Sequence, residues 1–122
     1  VSGARSRNKG AVGERELAAL LTAEGFSAHR GRQYHGGPGT PDVRCADLPG
    51  VHWEVKRTEK LSLYQAMAQA KADAADGQMP VVAHRRNHSE WLIVLRAEDF
   101  FRLVRESELP LTAPRTGAGA EE

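Results

Sequence analysis

Cysteine is nearly missing from this chain. Cys45 stands alone among 122 residues, so no internal disulfide can form and the fold must rest on its core. That suits a reducing compartment, and a cytoplasmic protein is the expectation. No apolar run approaches the ~20 residues needed to cross a bilayer. No signal-peptide pattern opens the chain, so no membrane partner is expected. Internal repeats are absent, as are a Gly-x-Ser-x-Gly nucleophile turn and a Gly-Lys-Ser/Thr phosphate loop. His29, His35, His52, His84 and His88 lack zinc-ligand spacing with one another or with Cys45; His84 and His88 are four apart but span a turn.

What is present is ordinary in amount and uneven in placement. The length suits one domain with a modest core, and 40% hydrophobic with 27% charged residues fits a soluble globular protein. The net charge of +1 conceals two basic clusters. Arg5, Arg7, Lys9, Arg30 and Arg32 crowd the first third, and His84, Arg85, Arg86 and His88 form the second. Clustered cations suit a phosphate backbone, or else form a solvated basic surface.

Residues 1–8 lack periodicity and read as a flexible basic arm. A helix is predicted from residue 10 or 12 to 24, with Leu17, Leu20 and Leu21 inward and Gly25 as its stop. Glu14 borders the inward face of its first turn, where acids are also favoured by the helix dipole; Arg15 and Glu16 read as surface charges. Residues 26–30 form a short strand candidate. The glycine-rich loop that follows carries Tyr34 and His35, which contact nucleic acid or pack the loop. A second helix is expected over residues 62–75, capped by Ser62 and ended by Gly77, with Leu63, Met67, Ala70 and Ala74 as its stripe. Gln65 and Gln69 lie on its polar face, facing solvent or within reach of a phosphate. Strands at 80–84 and 90–95 precede a helix at 97–105 with Phe100, Leu103 and Val104 inward and Phe101 outside the stripe. Residues 107–122, rich in Pro, Thr, Gly and Ala, read as a disordered tail.

The informative stretch is residues 39–56, two short strands around a turn. Strand alternation puts Val51, Trp53 and Val55 on one face and His52, Glu54 and Lys56 on the other. Val43 and Cys45 share the buried face, so Cys45 is a core residue. If Ala46 pairs with Val51, Asp42 falls opposite Val55; if Ala46 pairs with Gly50, it falls opposite Glu54. The second register, or a bulge with the same effect, is predicted, with Asp47-Leu48-Pro49 as loop and Gly50 available for a positive φ. Two carboxylates ~5 Å apart repel unless a cation lies between them, which points to a divalent metal site. Oxygen ligands favour Mg²⁺ or Mn²⁺ over zinc. An ammonium at Lys56 beside such a site can stabilise charge developing on a phosphate; otherwise it pairs with Glu54 on a solvated face.

With Glu14, Pro41-Asp42 and Glu54-Val55-Lys56 in this order, residues 8–105 resemble the PD-(D/E)XK nuclease superfamily. Within it the chain is most similar to archaeal-type Holliday-junction resolvases and related phage-type endonucleases, including the opening Lys9-Gly10-x-x-Gly13-Glu14-Arg15-Glu16-Leu17. The resemblance implies an α/β fold, a mixed five-stranded sheet flanked by helices in the order αβββαββα, over a nuclease domain at residues 9–106. It implies Mg²⁺ (or Mn²⁺) on Asp42 and Glu54, with the Val55 backbone carbonyl as a third ligand and Glu14 acting through water or completing the site. Lys56 would orient or deprotonate the attacking water. Arg5, Arg7, Lys9, Arg30, Arg32, Tyr34, His35, Gln65, Arg85 and Arg86 are candidate DNA contacts. The implied protein is a homodimeric endonuclease on branched or junction DNA. The alternatives are a flap, single-strand or restriction-type nuclease of the same fold, or a non-catalytic nucleic-acid-binding module. The family's small hydroxyl residue before the Asp motif has no good match, Ser27 and Thr40 being the nearby candidates.

Overall fold

The computed structural model describes residues 2–31 and 42–107, with side chains from Gly10 onward. Within them the elements are α1 (Ser2–Ala23), β1 (Ala28–Arg30), β2 (Val43–Cys45), β3 (Val51–Arg57), α2 (Leu63–Asp73), β4 (Met79–Arg85), β5 (Leu92–Val94) and α3 (Ala97–Glu106). This is the expected α/β order. The described strands form one five-stranded sheet in the order β1-β2-β3-β4-β5. The β3–β4 pair is parallel and the rest are antiparallel. A parallel pair needs a crossover, and α2 provides it.

Helix α1 begins at Ser2, upstream of the expected start, so the arm expected at residues 1–8 is helical in backbone from Ser2. Ala, Arg and Lys are good helix formers, and extending a formed helix costs little. Its end follows the expectation. Gly25 has φ +100°, and the amides of Gly25 and Phe26 donate to Thr22 and Leu21, closing the last turn as a left-handed cap does.

Two helices cover opposite faces of the sheet. Leu17, Ala18 and Leu21 of α1 pack on Val43, Cys45, Trp53, Val81 and Ala83, as strand alternation predicts. Leu20, expected inward, is exposed. Contact is close at Gly13, where an added Cβ would lie 2.5 Å from the Arg57 Cβ. On the other face, Ala66 and Ala70 of α2 pack on Val82, flanked by Leu61, Met67 and Val94. Leu63 is exposed instead of inward, because the small alanines let α2 sit close to the strands. Helix α2 ends at Asp73, with Ala74 extended; Gly77, at φ +86°, shapes the later turn instead. Ser62 occupies the N-cap position, but its side chain makes no capping bond.

Helix α3 differs most from expectation. Phe100 and Leu103 are exposed, as is Phe101, whereas Asp99 is buried. Arg96 Nε donates to Asp99 Oδ2 at 2.8 Å, and Arg102 Nη2 lies 3.5 Å from Oδ1. A buried carboxylate is tolerated when charged donors satisfy it, and that pairing fixes the rotation of the helix.

Candidate active site on the face of β3 that meets α2

The hairpin register decides where the acids go. Val43 pairs with Trp53, which is the register predicted for the hairpin. The strand is bulged there. The Asp42 amide donates to the Trp53 carbonyl at 3.1 Å, so Asp42 and Val43 both address Trp53, as in a β-bulge. The Asp42 carboxylate then accepts the Val55 amide at 2.7 Å. Gly50 contributes no positive φ; the turn closes through the Val51 amide on the Leu48 carbonyl.

Helix α2 roofs the polar face of β3, so this face is interior and not the open surface expected from alternation alone. His52, Glu54 and Asp42 are 1%, 3% and 5% exposed. Glu54 Oε2 faces Lys56 Nζ at 3.6 Å, and Oε1 faces His52 Nε2 at 3.7 Å. Neither is hydrogen-bond length, so these are ion-pair distances around a desolvated carboxylate. Lys56 Nζ donates to Gln69 Oε1 at 3.0 Å, which aims the ammonium from the helix. Beside it opens a cleft of about 330 Å³, lined in part by Lys56, Thr58, Lys60, Ser62, Gln65 and Gln69. Gln65 is exposed on its wall.

Other expected site residues lie away from this face or pair with charges on neighbouring elements. Glu14 accepts from Arg30 Nε at 2.9 Å, in the α1 layer of the sheet. Arg85 Nη1 and Arg57 Nε both reach Glu16 Oε1, at 3.0 and 3.1 Å, so Glu16 ties α1 to two strands and is more than a surface charge. Arg86 is exposed in the turn after β4. The side chains of Arg5, Arg7 and Lys9, and residues Arg32, Tyr34, His35, Thr40 and Pro41, lie outside the described part, as does the tail beyond residue 107.

Among the described residues, the donor group fit for a metal ion is His52, Glu54 and Asp73, whose ligand atoms all lie within 4.8 Å of one another. Asp42 and Glu14 are not members. Both ring nitrogens of His52 are buried without a hydrogen-bond partner. Sequence reading missed His52 and Asp73. The alternation of His52 with Glu54 was legible, but Asp73 ends a helix and reaches β3 only through the crossover.

No protein-family model and no curated protein sequence matches the chain. Among solved structures it is similar to Hjc, a Holliday junction resolvase from the hyperthermophilic archaeon Archaeoglobus fulgidus. The TM-score is 0.51 and the identity 24%, over 68% of this chain and 74% of that one. The two chains share a fold. Beyond the fold, the donor chemistry of the present chain carries the argument. Buried carboxylates and an unpartnered imidazole fit a divalent cation, which neutralises charges that burial otherwise makes costly. No described helix is long and apolar enough to cross a membrane.

Proposed function

We propose that the chain is a divalent-metal-dependent nuclease that hydrolyses DNA phosphodiester bonds, with branched or four-way junction DNA as its substrate. The observation that carries this reading is Glu54, a buried carboxylate facing the Lys56 ammonium at 3.6 Å, with Asp42 anchored on the amide of Val55, the next residue along β3. The fold shared with a resolvase supports it.

Asp42 and Glu54 would hold the cation, Mg²⁺ or Mn²⁺ by their oxygen donors. Such an ion supplies Lewis acidity toward the phosphate and lowers the pKa of the attacking water. Val55 serves through its backbone: its amide fixes the Asp42 carboxylate, and its carbonyl is the proposed third donor. Lys56, aimed by Gln69, orients the attacking water and offsets the negative charge growing on the phosphate. In a site this desolvated such a charge acts more strongly than in water. Glu14, paired with Arg30 on the α1 side of the sheet, stands outside this set. The lysines of the cleft and the basic clusters, Arg86 among them, would hold the DNA backbone. A cytoplasmic homodimer would present two sites to a two-fold junction, with the exposed Phe100, Phe101 and Leu103 of α3 as its apolar surface.

The test is cleavage of four-way junction, flap, single-stranded and linear duplex DNA by purified protein, in Mg²⁺ and in EDTA. Metal-dependent cutting with preference for the junction is expected. Preference for the flap or single strand would move the substrate but keep the chemistry. Binding without cutting would leave the non-catalytic module.

A further inference from the structure

The polar face of β3 holds more metal-binding capacity than the proposed reaction uses. His52 is 1% exposed, and both its ring nitrogens are buried without a hydrogen-bond partner. Burying a polar group unpaired is costly, so such groups normally have a ligand. Nε2 stops 3.7 Å from Glu54 Oε1, too far for a hydrogen bond. Two donors on a shared tetrahedral ion, each ~2.1 Å from it, lie ~3.4 Å apart. The gap therefore suits an ion better than a proton. Asp73 closes the group, its carboxylate within 4.8 Å of both partners.

Asp73 is also the last residue of α2. The C-terminal end of a helix carries partial negative charge, so an acid there is disfavoured. Facing a second carboxylate, Glu54, makes the arrangement worse unless a cation offsets all three. Meanwhile Glu54 divides its oxygens: Oε2 faces Lys56 and Oε1 faces His52.

We propose that His52, Glu54 and Asp73 form a second cation position, separate from the Asp42–Glu54 position and joined to it through Glu54. It takes a transition-metal dication such as Co²⁺, Ni²⁺ or Zn²⁺, because an imidazole donor suits these ions better than Mg²⁺ or Mn²⁺. Three protein ligands leave a coordination place open to water or a phosphate oxygen. The inference rests on the proposed nuclease reading in that both use Glu54.

Equilibrium dialysis of the full chain against Co²⁺, with visible absorption recorded, tests it by a readout other than cleavage. Wild type should bind two Co²⁺ per chain. Asp73→Asn and His52→Asn should each bind one, with loss of the ligand-field band from the nitrogen-bound ion. Asp73 is half-buried at a helix end, so Asp73→Asn is the variant that keeps the fold, checked by circular dichroism. Folded Asp73→Asn that binds as much Co²⁺ as wild type overturns the proposal. So does a single ion in wild type that is lost equally in Asp42→Asn and Asp73→Asn, which would mean one shared position. Junction cleavage in Mg²⁺ by Asp42→Asn separates the two ideas: if cutting survives that change, the nuclease site is wrong whatever the cobalt count.

Discussion

The amide of Val55 donates to the carboxylate of Asp42 at 2.7 Å, across the junction of β2 and β3. This bond joins fold to site. The amide is left for a side chain because β2 bulges at Asp42, and the bond in turn fixes an acid that would otherwise hang from a strand end. Removing the carboxylate should therefore be felt twice. Asp42→Ala leaves the Val55 amide without its acceptor and should cost about 1–3 kcal/mol, measured by urea denaturation, in addition to abolishing cleavage. An unchanged midpoint would make the bond incidental.

Glu54 should show the opposite balance. Its carboxylate is desolvated and has ion-pair but not hydrogen-bond distances to its neighbours. Lys56 keeps solvent access and Gln69 when that charge is lost. Glu54→Gln should therefore stabilise the metal-free protein by about 1 kcal/mol while ending metal-dependent cleavage. A lowered melting temperature would mean that the carboxylate is a structural element.

Lys56→Ala should reduce single-turnover cleavage by roughly 10²- to 10³-fold, the effect of removing one charge-stabilising donor, with Mg²⁺ affinity little changed. Gln69→Ala, which frees the ammonium without removing it, should fall between wild type and Lys56→Ala. Equal rates in all three would reduce the lysine to a surface partner of Glu54.

Gly13 marks where α1 crosses β3. Gly13→Ala forces a Cβ against the Arg57 Cβ, a backbone-proximal atom that cannot swing aside. Overpacking of this kind costs about 1–3 kcal/mol, readable as a lowered thermal midpoint. An unchanged midpoint would show that the helix can lift without penalty.

Much of this was legible beforehand, for identifiable reasons. Strand alternation separated Trp53 from Glu54 correctly because both faces of a central strand obey the same period. The hairpin register was legible because a three-residue turn over residues 47–49 sets Val43 opposite Trp53. What alternation cannot supply is the roof: nothing local to residues 51–57 says that α2 returns over them, so neither the burial of His52 nor its nearness to Asp73 is legible there. On α3, apolar residues suggested a buried stripe, yet Asp99 took the inward place, paired with Arg96 and Arg102 at the surface. Pairing of charges overrode hydrophobic pattern there. The pairing of Arg30 and Arg85 is not legible in their clusters, because their partners, Glu14 and Glu16, lie on a helix distant in sequence.

The central claim is that a cation-binding pair of acids with an adjacent ammonium cuts DNA. Its most direct test is single-turnover cleavage of a four-way junction in Mg²⁺ by wild type and Asp42→Asn, with junction affinity measured on the same samples. The account predicts cutting by wild type that EDTA stops, and an Asp42→Asn protein that binds the junction but leaves it intact. Undiminished cutting by Asp42→Asn would contradict it.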